Sequence, residues 1–180
     1  MKYISIILLA WMTIFQTGQD LYVCKNAQVT LFSTAPIEDI NASTSRAVAV
    51  FNAATGDVSF MVPINSFQFP KSLMQEHFNA DYMESDKYPR ATFKGRISRK
   101  TDLTKDGVYP VTASGELTVH GVTVDRTIPG TITVVNGLPV MRSEFMVKCV
   151  DHHIEIPRIV FHNIAESIKI TITASFTPSK

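Results

Sequence analysis

The sequence predicts an all-β domain of about eight antiparallel strands with one short helix, and three observations carry that expectation. Apolar and polar residues alternate with a period of two through almost every segment after residue 18, as half-buried strands require. Residues that tolerate positive φ punctuate the alternation at Thr55-Gly56-Asp57, Lys105-Asp106-Gly107 and Asn136-Gly137, which reads as hairpins. A single stretch, after Pro70, changes to helical spacing.

Taken in order, the chain opens with Met1 and Lys2, runs apolar from Tyr3 to Phe15 and turns polar at Gln16, Thr17 and Gly18. This pattern is that of a secretory signal peptide, read here as residues 1–18, because the apolar run is shorter than the roughly 20 residues a membrane-spanning helix needs. The expected location is therefore periplasmic or otherwise exported. Residues 19–180 then form one domain, with no repeat, charge block or low-complexity linker to divide them.

Val29 and Leu31 mark an early strand, and Val58, Phe60 and Val62 another. From Pro70, Leu73, Met74, His77 and Phe78 recur at helical spacing, and the polar run from Asn79 to Pro89 reads as a long surface connection, a candidate lid. Ala91, Phe93 and Ile97, then Ile128, Ile132 and Val134, resume the strands. The clearest alternation is last: Ile168, Ile170, Ile172, Ala174 and Phe176 against Lys169, Thr171, Thr173 and Ser175. Periodicity alone leaves a sandwich and an up-and-down barrel both open.

Composition excludes some partners. Lys plus Arg total 17 against 16 for Asp plus Glu, so nothing steers the chain toward nucleic acid or an anionic surface. Cys24 and Cys149 form either one bridge in an oxidising space or two buried thiols, and Cys24 falls in the polar phase with Asn26 and Gln28. No His-Glu-x-x-His helix, Cys-x-x-Cys pair, calcium loop, Gly-x-Ser-x-Gly elbow or phosphate loop is present, and His152 and His153 are strand neighbours that face opposite ways. No catalytic residue, metal ligand or cofactor is expected. His120, ahead of Gly121, reads as a structural hydrogen-bonding group at a turn; His120 or Asp151 buried inside the domain would reopen an enzymatic reading.

Two stretches are more specific. In HFNADYMESDKYPRATFKG the residues His77, Phe78, Tyr88, Pro89, Ala91 and Phe93, and in GELTVHGVTVDRTIPG the residues Gly115, Leu117, Thr118, His120, Gly121, Val122 and Thr123, resemble the YceI-like family. The likeness extends more loosely from Val29 to Phe176, and departs from the family at Val124, Asp125, Arg126 and His152.

The resemblance implies a lipocalin-like antiparallel barrel whose interior holds an isoprenoid chain, either a polyprenyl lipid or a quinone tail. On that expectation the wall includes Phe60, Leu73, Phe78, Phe93, Leu117, Val119, Phe145, Ile168 and Ile170, with Ala91, Gly95, Ala113 and Gly115 as small positions that leave space. His77, Lys87 and Arg90 then meet a lipid head group at the mouth. Transient membrane contact fits such a carrier, and a homodimer stays open because no stripe identifies an interface. The competing expectation is a barrel packed solid that acts through its surface, with no lipid.

Overall fold

Alternation places one face of each strand indoors, and hairpin connections make sequence neighbours into sheet neighbours. The computed structural model describes residues 20–34, 39–98, 101–155 and 166–179, so the leader lies outside the described residues. The strands are β1 (Leu21–Ser33), β2 (Ile40–Asn52), β3 (Asp57–Pro63), β4 (Arg90–Ile97), β5 (Gly107–Val119), β6 (Val122–Val135), β7 (Leu138–Lys148), β8 (Ser167–Ser175) and the two-residue β9 (Thr177–Pro178). Each of β1 to β7 pairs antiparallel with the next strand, and β8 returns to β1, which closes an up-and-down barrel; β9 pairs with the start of β1. That closure settles the choice between barrel and sandwich.

The connections divide the barrel into two ends. At the turn end, Gly56 (φ 80°), and Asn136 and Gly137 (φ 52° and 74°), make the tight reversals that positive φ permits. Gly107 differs from expectation: it opens β5 without a positive φ, so the chain reverses before it. At the helix end, the β3–β4 connection carries a 3-10 turn (Ile64–Ser66), α1 (Ser72–His77) and a π turn (Phe78–Tyr82). This connection is more than a surface strap, because Met83 and Ser85 are buried and Phe78 packs edge-on to Phe67 at 5.7 Å and against Phe69 at 4.9 Å.

The turn end holds a tightly buried part of the core. Ile132, Val134, Ala174, Phe51 and Phe176 are all at most 2 % exposed, and the Phe51 and Phe176 rings meet edge-to-face at 6.1 Å. Cys24 joins them although its phase in the sequence is polar. The register of β1 shifts between Cys24 and Ala27, and such a bulge turns a residue to the opposite face. Cys24 and Cys149 are both buried free thiols, Cys149 lying just past β7 at the helix end. Burial pushes the Cys149 thiol above its ordinary pKa.

Candidate functional site

Midway along the barrel the packing loosens. A cavity of about 70 Å³ is lined by Val58 and Phe60 of β3, Phe93 and Ile97 of β4, Val111 and Ala113 of β5, Ile128 and Ile132 of β6, Met141 and Phe145 of β7, and Ile172 of β8. Its wall is almost wholly hydrocarbon. Several of these side chains occupy the inward phase of their strands yet stay only half-buried, among them Phe60, Val111, Ala113, Phe145 and Ile172. In a solid barrel of this size the inward phase fills itself; here it does not.

Of the residues the sequence singled out, the structure brings Phe60, Phe93 and Phe145 together around this cavity. Leu117, Val119, Ile168 and Ile170 belong to the same apolar cluster, and Phe145 stands directly across from Ile170 in the β7–β8 ladder. Phe78 packs against the cluster from the β3–β4 connection. Leu73 is 61 % exposed and lines no part of the cavity, since α1 presents it to solvent. Sequence reasoning passed over Ile97, Val111, Met141 and Ile172 as lining, although the phase of Ile172 was visible in the alternation of β8.

The small residues act differently from one another. Ala113 lines the cavity. Gly95 and Gly115 face each other across β4 and β5, and a Cβ on Gly95 would stand 2.6 Å from the Ser114 carbonyl oxygen and 2.7 Å from the Phe93 ring. These two glycines permit close approach of strands and a ring and leave no free space.

The polar groups at the helix end are paired locally. His77 Nδ1 contacts the Asp81 carboxylate four residues on, and Lys87 Nζ lies 3.7 Å from Glu84 and over the Tyr88 ring. A hydrogen bond with Tyr88 and the charge of Glu84 hold Lys87 above its ordinary pKa. Arg90 is exposed, in the outward phase of β4 opposite to Ala91 and Phe93. None of the three lines the cavity.

His120 is the better-connected residue. It and Gly121 take φ values of 50° and 74° to turn β5 into β6. The His120 ring places Nε2 2.9 Å from Glu84 Oε2 and Nδ1 3.3 Å from the His152 carbonyl oxygen, and the Tyr88 ring meets it edge-on at 4.4 Å. His152 and His153 lie not on a strand, as expected, but in a 3-10 turn (Val150–His152) and its left-handed cap; His152, fully buried, donates from Nδ1 to the Val122 carbonyl at 3.1 Å. These histidines fasten the hairpin to the connection on one side and to the chain after β7 on the other. Asp151 pairs with Arg126 at 3.5 Å. Among the described residues no group of three or more His, Cys, Asp or Glu side chains is placed to hold a metal ion.

Against this geometry, the family model described as the YceI-like domain matches residues 24–176. No curated protein matches the chain. The fold is similar to that of a polyisoprenoid binding domain from Saccharophagus degradans implicated in plant cell wall breakdown, with a TM-score of 0.75, 12 % identity and coverage of 88 % of this chain and 98 % of that one. It is also similar to BcnA of Burkholderia cenocepacia, with a TM-score of 0.71, 16 % identity and coverage of 84 % and 96 %. A YCEI protein of Campylobacter jejuni aligns with a TM-score of 0.63, 18 % identity and coverage of 82 % and 89 %.

Proposed function

The chain belongs to the YceI-like family, and we propose that it holds a long isoprenoid lipid, a polyprenyl lipid or a quinone tail, in the mid-barrel cavity without transforming it. The observation that carries this reading is the half-buried state of inward apolar side chains, Phe60, Val111, Phe145 and Ile172, around a hydrocarbon wall. Each methylene taken from water contributes about 0.8 kcal/mol, so a chain of several isoprene units binds tightly without any directional contact. The polyisoprenoid named for the Saccharophagus degradans domain is a ligand of the chemistry this wall suits.

The cavity is small beside the 300–1,000 Å³ typical of ligand sites, so loading widens the barrel. Catalysis is no part of the proposal: His120 and Asp151 are both engaged in fastening the fold. Export to the periplasm is part of it, on the strength of the leader read at residues 1–18, and so is transient contact with a membrane, where isoprenoid lipids reside. The head group rests at the helix end near Lys87 and Arg90, and replacing His77, Lys87 and Arg90 together tests that component. Unchanged lipid affinity removes it.

A second reading, a barrel that works through its surface, is favoured by the same small cavity. Native mass spectrometry of the protein purified from a bacterial host, followed by organic extraction, separates the two. The carrier reading expects one isoprenoid molecule per chain. A mass equal to bare protein, unchanged after incubation with isoprenoids, leaves the surface reading.

A further inference from the structure

The barrel wall is not uniformly sewn. The β6–β7 ladder runs from Val135↔Leu138 to Gly130↔Ser143 and ends there, although β6 continues back to Val122 and β7 on to Lys148. Both unjoined halves are held on their outer sides, Val122–Pro129 by β5 and Glu144–Lys148 by β8. Among the described residues, the helix-end half of the wall therefore has a seam in which two strand edges face each other without pairing.

The cause is legible in the residues at its upper limit. Pro129 has no N–H to donate, and its carbonyl, which points toward β7, accepts from the Ser143 hydroxyl at 2.6 Å in place of a backbone donor. Further along, Arg126 bridges the seam: Nη2 donates to the Met146 carbonyl oxygen at 2.6 Å, and Nη1 lies 3.5 Å from Asp151. Arg126 stands in the same phase as Ile128 and Ile132, where a charge is expected only if it has a task. Two side-chain contacts thus substitute for a run of ladder bonds.

The seam also meets the cavity. Pro129, Gly130, Thr131, Arg142, Ser143 and Ile172 border the apolar cavity inside and a second depression outside, so the wall is a single backbone thick where the ladder ends. Met146, on the outer lip, is 46 % exposed.

We propose that the isoprenoid chain enters and leaves sideways, between β6 and β7, with Arg126 as a strut that swings aside. This rests on the carrier reading above. A chain sliding in sideways needs no end-on threading past the connection that carries Phe67, Phe78 and Met83, and among the described residues opening the seam breaks no ladder bond.

If the register of the joined half continued, Thr127 would face Met146. The test places cysteines at both, as T127C/M146C, and compares oxidised with reduced protein in loading and release of solanesol, a long polyprenol. Cys24 and Cys149 are buried, and single-cysteine proteins control for them. The expected result is that the cross-link slows loading and release together, by about tenfold or more, and that reduction restores both. Equal rates in the two states overturn the sideways route while leaving the carrier reading intact; no solanesol uptake by the reduced protein overturns both. A second variant covers failure of the cross-link to form: Arg126→Ala speeds loading and release several-fold together, and unchanged rates overturn the role of Arg126.

Discussion

The two ends of the barrel share strands and alternation but not packing. At the turn end, Ile132, Val134, Phe51, Ala174 and Phe176 close the interior like the core of any small domain. From the middle toward the helix end, Phe60, Val111, Phe145, Ile168 and Ile170 face inward yet remain half-buried, and the β6–β7 ladder stops. Along the wall from β5 to β8 there is a division of labour: its turn-end stretch is closed, which lets the rest keep unfilled apolar surface. Hydrocarbon left partly uncovered is a cost in stability that a folded chain tolerates only when another region supplies the surplus.

Truncations separate the two regions most clearly. Phe176→Ala at the turn end is expected to cost about 3–5 kcal/mol in urea unfolding, as for large buried aromatics. Ile170→Ala, in the looser half, is expected to cost less than half as much, because the deleted atoms are already partly exposed. Similar losses at the two sites would erase the distinction between the ends. Gly121→Ala is expected to cost about 1–3 kcal/mol, since φ is 74° there and the new Cβ would stand 2.5 Å from the Tyr88 ring.

Chemical reactivity gives a milder probe. Cys149 is buried at the helix end with its pKa raised by that burial, so native protein at pH 8 is expected to resist iodoacetamide and urea-unfolded protein to react at once. Fast native labelling would show the helix end opening further than its structure does. The smallest effect concerns the exposed Asp57–Arg96 pair beside the turn end, joined at 2.8 Å. The hydrogen bond from Arg96, then that from Thr55, lowers the Asp57 pKa. Its contribution is therefore complete above the unfolded carboxylate value and fades as pH falls through the folded one. Asp57→Asn is expected to flatten that acid limb slightly and to leave stability near neutrality almost unchanged; a large loss at neutral pH would contradict the assignment.

Much of the fold is legible in the sequence because period-two alternation and turn residues act locally: the strands at Val58–Val62, Ala91–Ile97 and Ile168–Ala174, and the Asn136-Gly137 turn, were readable directly. The burial of Cys24 was not, since a β-bulge between Cys24 and Ala27 changes phase without any marker in residue type. Closure into a barrel is a long-range pairing of β1 with β8, which no local pattern encodes. The candidate site was half legible. The family resemblance named Phe60, Phe93 and Phe145 as wall, but whether an inward residue meets a partner or a void depends on strands far apart in sequence. Gly95 and Gly115 show the trap, because small size signalled space and the strands closed upon it. Arg126 shows the missed signal: an arginine in register with Val122, Val124 and Ile128 breaks an apolar phase and marks the seam.

Filling the cavity is the decisive experiment. Ala113 lines it and faces Ile128 across the β5–β6 ladder, so Ala113→Trp inserts a ring where the lipid chain is proposed to lie. Solanesol binding to this variant and to the unaltered protein, followed by native mass spectrometry with circular dichroism as a check on the fold, gives the decision. A lipid-filled cavity gives a one-to-one complex for the unaltered chain and at least a tenfold loss for a variant that keeps its β-sheet spectrum. Equal binding by both, or no binding by either, would contradict it.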